Sequence, residues 1–196
     1  MRRFLVLAHH APLTPSFPLD DLPGSAGRLD VLCRCLIDGL LTSHGIREET
    51  TVEFVLQDQL TVRFAGDTIR NLRPDERSTA AHFRRALERA EAAVGRVPVD
   101  VSPGITVIRE DLAAVLDRVD SPIIWLDPAG DPLVDLPPRK PVTFVLSDHR
   151  PYTDADVETL TPRADNRMSC SPVTIQAAQA ITVVHNYLDT AGYERF

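Results

Sequence analysis

Apolar residues along this chain recur with two periods, and the switches between them outline alternating strands and helices. Residues 1–8 form an apolar run suited to a strand, and a Pro-rich loop follows over 12–23. Leu29, Leu32, Leu36, Ile37, Leu40 and Leu41 then repeat at helical spacing, with Asp30 and Arg34 on the opposite face and Gly45 as a left-handed terminator after Ser43-His44. Residues 51–56 read as a second strand, and 60–64 and 67–72 as a hairpin about Ala65-Gly66. Pro74 to Ser78 punctuates the chain before a long helix reaching Val94 and closing at Gly95. Its early acidic and later basic residues suit the helix dipole. A linker over 98–103 precedes a strand at 105–107, a helix at 111–119 and a buried strand at 122–126 that ends in the polar turn 127–132. The strand 142–146 and the helices 153–160 and 173–188 complete the series.

Such alternation predicts one α/β domain over residues 1–196, a parallel-rich sheet flanked by helices with right-handed crossovers. In sheets of this kind ligands bind beyond the carboxyl ends of strands. Two late segments fit that position: Leu146-Ser147-Asp148-His149 at a strand end, and Met168-Ser169-Cys170-Ser171-Pro172 before the last helix.

Composition narrows the classes. The chain of 196 residues is 43% hydrophobic and 25% charged, and no apolar run approaches the roughly 20 residues of a membrane span. The basic, apolar start imitates a signal peptide, but its apolar stretch stops too early and reads as the first strand. Cys33, Cys35 and Cys170 are odd in number and lack metal-ligand spacing, so no disulfide framework or structural metal is expected and a reducing cytoplasm is inferred. The net charge of −7 opposes broad nonspecific binding to nucleic acid. Lys140 is the sole lysine among 21 basic residues, and seven arginines cluster between Arg63 and Arg89. That density reads equally as a phosphate-binding patch or as a solvated helix face.

Neither G-x-G-x-x-G nor a P-loop is present, so nicotinamide and P-loop nucleotide sites are unsupported. Asp148-His149 lacks the neighbours of a hydrolytic dyad and reads better as a ligand-holding turn. His9 and His10 end the first strand without enough nearby ligands for a metal. Gly24 to Asp30 reads as a helix cap, and also as an anion site in which Arg28 grips phosphate.

Four strings carry a resemblance: Asp21-Leu22-Pro23-Gly24-Ser25-Ala26-Gly27-Arg28-Leu29-Asp30-Val31-Leu32-Cys33-Arg34-Cys35, Leu72-Arg73-Pro74-Asp75-Glu76-Arg77-Ser78-Thr79-Ala80, Val145-Leu146-Ser147-Asp148-His149 and His185-Asn186-Tyr187-Leu188-Asp189. Together, in order over nearly the whole chain, they resemble the archaeal tRNA pseudouridine-54 N1-methyltransferase family of the SPOUT (α/β-knot) superfamily. The resemblance implies a C-terminal deep trefoil knot, a homodimer, the T-arm of tRNA as substrate, and S-adenosyl-L-methionine bound by three loops. Cofactor contacts would come from Leu126, Leu146, Ser147, Asp148, Met168, Cys170, Ile175 and Ala180. Arg28, Asp30, Asp75 and Arg77, with Glu76, would face the RNA, with Asp30 or Asp75 as base or proton-accepting partner. The chain departs from the family pattern at Ser147, Cys170-Ser171 and Ala180. Two alternatives accompany this reading: a pseudouridine N1-methyltransferase acting on ribosomal RNA, and a noncatalytic RNA-binding dimer. The string from Asp21 to Cys35 favours the tRNA branch.

Overall fold

Side-chain alternation along the first strand decides the layering. β1 (Arg2–Ala8) sends Phe4, Val6 and Ala8 to one face and Leu5 and Leu7 to the other, and all five are buried. In the computed structural model, which describes residues 1–196, it pairs on both sides in parallel, with β2 (Thr50–Leu56) and with β7 (Val142–Ser147). β7 pairs in parallel with β6 (Ile123–Pro132), and β6 with β8 (Asn166–Ser169) at the edge. On the other side β2, β3 (Leu60–Ala65), β5 (Ile105–Ile108) and β4 (Val99–Ser102) are joined antiparallel. All eight strands form one mixed sheet in the order β4-β5-β3-β2-β1-β7-β6-β8.

The Phe4 face carries the larger core. α2 (Leu29–Leu40), α3 (Glu76–Ala90) and α6 (Ala177–Asp189) bury Leu32, Leu36, Phe83, Leu87, Ile181 and Val184 against it, and the four-residue turn α1 (Leu22–Ser25) adds Leu22. Phe54, Phe64 and Phe83 pack edge-on or tilted at 5.0–5.8 Å between centroids, an arrangement favoured by aromatic quadrupoles. The opposite face is covered over its C-terminal half by α4 (Leu112–Asp117) and α5 (Asp154–Leu160), which meet Leu5, Leu7, Val55, Trp125 and Val145. Towards the other end of that face, Glu53 is fully buried and is held by Arg3 at 3.4 Å and by Arg118.

Several segments differ from the reading by periodicity, each for a local reason. α2 ends at Leu40, ahead of Ser43-His44-Gly45, because Leu41 turns extended and bridges to Ile46. Asp30, expected on the polar face, is 2% exposed because Arg28 and Arg34 satisfy its carboxylate. The hairpin turns at Gln57-Asp58, both left-handed, rather than at Ala65-Gly66, and residues 67–72 form no strand. β4 occupies the expected linker, the long helix spans only Glu76–Ala90, and the last helix starts at Ala177 because Gln176 is its extended cap. The polar turn after Leu126 is a bulge within β6, where Leu126 and Asp131 both pair with Met168. A Cβ on Gly130 would lie 2.6 Å from the Met168 amide nitrogen, so the bulge presses close against β8. The arginines from Arg63 to Arg89 are dispersed over β3, a loop and α3: Arg63 faces Glu53, Arg77 pairs with Asp20, and Arg84 lies over the Phe17 ring.

Candidate functional site

Three adjacent parallel strands, β7, β6 and β8, end side by side, and the loops beyond them enclose a cleft of about 930 Å³. This volume matches small-molecule sites. Leu126, Asp127 and Pro128 come from β6; Leu146 to Tyr152 from β7 and its loop; Arg167, Ser169 to Ser171 and Val173 to Gln176 from β8 and the segment entering α6. Val31 and Arg28 of the α2 start, and Ala177, Gln179 and Ala180 of α6, close it. After β8 at the sheet edge the chain therefore returns past the ends of β6 and β7 before α6 packs on α2. The walls are apolar at Leu126, Leu146, Val173, Ile175 and Ala180, with carboxylates at Asp127 and Asp148.

The loop after β7 is fixed at several points. Asp148 N–H donates to the Leu7 carbonyl at 3.0 Å, and its carboxylate accepts from the N–H groups of His9 at 3.0 Å and Arg150 at 2.8 Å. Ser147 Oγ donates to the Arg150 carbonyl at 2.6 Å. Tyr152 Oη reaches the carbonyls of Leu126 at 2.8 Å and Val145 at 3.1 Å, which ties the β7 loop to β6; burial pushes this phenol well up. Burial also acts to raise Asp148, but the hydrogen bonds from His9 and Arg150 hold it below the usual carboxylate range.

Arg28 sits on the rim in the left-handed region, at φ 63°, directly after Gly27 at φ 56°. A Cβ on Gly27 would fall 1.8 Å from the His10 carbonyl oxygen, so glycine is required there. The Arg28 guanidinium forks onto Asp30, Nε to Oδ1 at 3.0 Å and Nη2 to Oδ2 at 3.1 Å, and Arg34 donates to the same Oδ2. Arg34 also lies 3.2 Å from Glu76 and 3.5 Å from Gln176, so it joins the starts of α2, α3 and α6. Burial would raise Asp30, yet Arg28 and Arg34 bring it below the usual range.

Of the residues singled out in sequence, Leu126, Leu146, Ser147, Asp148, Cys170, Ile175, Ala180 and Arg28 line the cleft. Met168 does not: its side chain enters the core at 4% exposure, since β8 directs it under the sheet. Asp75 and Arg77 also lie outside it. Asp75 caps α3 by accepting the Ser78 N–H at 2.7 Å, which holds it below the carboxylate range, and Arg77 pairs with Asp20 at 2.6 Å. Sequence reading gave no role to Tyr152, Gln176 and Gln179 at the cleft, or to Asp156 behind it. The cue for Asp156 is the Thr153-x-x-Asp156 pattern, which forms a capping box.

Residues 1–193 match the family described as "Putative SAM-dependent RNA methyltransferase". The chain is 48% identical to the tRNA (pseudouridine(54)-N(1))-methyltransferases of Haloarcula marismortui and Haloferax volcanii over the full length of both partners. It is 39% identical to the protein of the same name from Methanopyrus kandleri, over 96% of this chain and 93% of the relative. Among solved structures it is similar to Archaeoglobus fulgidus Nep1 bound to S-adenosylhomocysteine, with a TM-score of 0.66 over 98% of this chain and 99% of that one; at 11% identity this is a likeness of fold.

Proposed function

The chain belongs to the family of SAM-dependent RNA methyltransferases that includes the tRNA (pseudouridine(54)-N(1))-methyltransferases, and from that membership we propose how its cleft works. It transfers a methyl group from S-adenosyl-L-methionine to N1 of pseudouridine 54 in the T-arm of tRNA. The observation that carries this reading is the cleft formed by three strand-end loops, in a chain that its relatives match from end to end.

The cleft suits the cofactor by volume and by chemistry. Leu126, Leu146, Ile175 and Ala180 offer apolar surface to a flat nucleoside, and Arg28, Arg150 and Arg167 stand around it, Arg167 pairing with Asp127. Ser147 and Cys170 contribute rim atoms. When bound, S-adenosyl-L-methionine supplies a methyl group activated by its sulfonium charge. The residues of the chain orient the base, exclude water and favour the deprotonated nitrogen. N1 of pseudouridine is an imide-type nitrogen that becomes nucleophilic on losing its proton to solvent, and the N–C bond it forms would replace the S–CH₃ bond, leaving S-adenosylhomocysteine. Arg28, held at the rim by Asp30, places a cation that lowers the cost of that anion. The low pKa directions of Asp30 and Asp75 make both weak bases, so Asp30 acts as a positioning residue for Arg28. Asp75 and Arg77 extend the same side of the molecule towards RNA, since Glu76 beside them is tied to Arg34.

The return of the chain from edge strand β8 to α6 supports a C-terminal trefoil knot formed by residues beyond β7. A homodimer and a reducing cytoplasm belong to the same reading, the latter suited to three free cysteines. No helix is long and apolar enough to cross a membrane. The test is transfer of labelled methyl from S-adenosyl-L-methionine to T-arm RNAs bearing pseudouridine or uridine at the target. Incorporation confined to pseudouridine is expected; incorporation into both, or into neither, refutes the assignment.

A further inference from the structure

Beyond the carboxyl end of β1 the His9 imidazole lies between two carboxylates from different segments. Nδ1 is 3.4 Å from Asp148 Oδ1, on the loop after β7, and Nε2 is 2.8 Å from Asp156 Oδ2, in the first turn of α5. The three side chains are 16%, 3% and 13% exposed, so solvent screens the group weakly. Asp148 Oδ1 also accepts from Arg150 N–H at 2.8 Å, and Asp156 Oδ2 from the N–H and Oγ of Thr153, each at 2.7 Å. The two carboxylates thus anchor opposite ends of the segment 148–153, and the imidazole braces one against the other. Asp148, Arg150 and Tyr152 of that segment line the cleft, whereas His9 does not.

We propose that His9 is a positioning residue whose doubly protonated ring, donating to Asp148 and Asp156 at once, clamps the 148–153 wall of the cleft and so sets its affinity for the cofactor. The proposal rests on the cofactor reading above. Its chemistry follows from the donor count: a neutral imidazole has one N–H and must turn a lone pair towards the second carboxylate, whereas the cation serves both. The hydrogen bonds to Asp148 and then Asp156 outweigh burial and push the His9 pKa up to about 9. The other titratable or charged side chains facing this group are His149, whose Nδ1 is 3.6 Å from Asp148 Oδ1, His10, whose ring is 6.5 Å from that of His149, and Arg28, whose charge interacts with Asp148. With the folded pKa at about 9, the ring carries both protons at pH 7 and the clamp is lost as pH rises through about 9.

The experiment is calorimetric titration of the full chain with S-adenosylhomocysteine from pH 7 to 10, for the native protein, His9→Gln and Asp156→Asn, with NMR titration of the His9 ring nitrogens. Native affinity is expected to fall about tenfold across that range, and His9→Gln to start about tenfold weaker at pH 7 and stay flat. Asp156→Asn keeps an oxygen acceptor for the Thr153 cap but removes one carboxylate, so the midpoints of ring titration and affinity should move together to lower pH. A merely structural role would not move them together. Equal and pH-independent affinity in the native protein and His9→Gln, or a ring midpoint near 6.5, overturns the clamp. Absence of binding by the native chain at pH 7 removes the cofactor reading itself and the clamp with it.

Discussion

Replacing Asp30 by asparagine separates a positioning carboxylate from a catalytic base. The native side chain is 3% exposed and accepts from Arg28 at 3.0 and 3.1 Å and from Arg34. Asparagine keeps one oxygen and presents an amide N–H₂ to guanidinium donors, so two of these charge-assisted contacts are lost. Such bonds contribute about 1.5–3 kcal/mol each, but Arg28 and Arg34 are 42% and 36% exposed and can be rehydrated. The discounted loss is about 2–3 kcal/mol, or a fall in Tm of about 5–10 °C for a chain of this size. Because the folded pKa of Asp30 is depressed, its contribution is present above the ordinary carboxylate value and disappears as pH falls through the lower folded value. Urea unfolding from pH 7 downward measures this: the difference between the native protein and Asp30→Asn at pH 7 should shrink as pH falls below the ordinary carboxylate value. Methyl transfer under saturating cofactor should fall with weaker RNA binding, while its pH profile keeps its shape. A stability difference that is absent at pH 7, or a variant that loses the limb of the rate profile attributable to a base, refutes the argument.

His185 gives a pH signature of the opposite origin: burial and the charges of Arg47 and Arg2 lower its pKa to about 3, with Arg2 donating to Nδ1 at 2.7 Å and Nε2 donating to Gly39 O at 3.0 Å. A depressed histidine destabilises the fold as pH drops below 6.5, so urea midpoints should show a loss of about 2–3 kcal/mol between pH 6.5 and 4.5 that His185→Gln flattens. Ala180→Leu adds bulk to the cleft wall at an 8% exposed site and is expected to weaken S-adenosylhomocysteine binding by at least about tenfold with circular dichroism unchanged. Unaltered affinity would place the cofactor elsewhere. Gly27→Ala forces a Cβ against the His10 carbonyl at positive φ and should cost about 3 kcal/mol while displacing Arg28, read as lost thermal stability together with lost RNA affinity.

The elements legible in the sequence are those with extensive burial. β1, β2 and β7 read as apolar runs because both faces of each are covered, and α3 repeats at helical spacing because one face of it meets the core. β8 was illegible because Asn-Arg-Met-Ser buries only Met168, and β4 because its residues Val99–Ser102 lie at the edge of the sheet and stay partly exposed. The burial of Asp30 was hidden for a different reason. A carboxylate marks a polar face unless two arginines converge on it, and Arg28 reaches it only through a left-handed backbone that Gly27 makes accessible. The cleft loops were legible as strand ends, whereas the brace behind them was not. His9 is more than a hundred residues from Asp148 and Asp156 in sequence and meets them because β1 and β7 are neighbours.

That adjacency also explains how an acidic chain can handle a polyanion. With a net charge of −7, long-range electrostatics repel RNA, and many arginines are engaged locally: Arg77 with Asp20, Arg163 with Asp117, Arg167 with Asp127 and Arg47 with Asp189. At the cleft rim Arg28 and Arg34 share Asp30, Arg34 also reaches Glu76, and Arg28 keeps 42% of its side chain open to solvent. A half-exposed guanidinium already oriented by a carboxylate loses little freedom on meeting an anion and can still donate from its remaining N–H groups. On the function proposed above, recognition on this surface would draw on a few fixed donors beside the cleft rather than on bulk charge. Shape and base chemistry, not phosphate neutralisation, must therefore provide most of the discrimination between a pseudouridine in a folded T-arm and the many uridines of other RNAs.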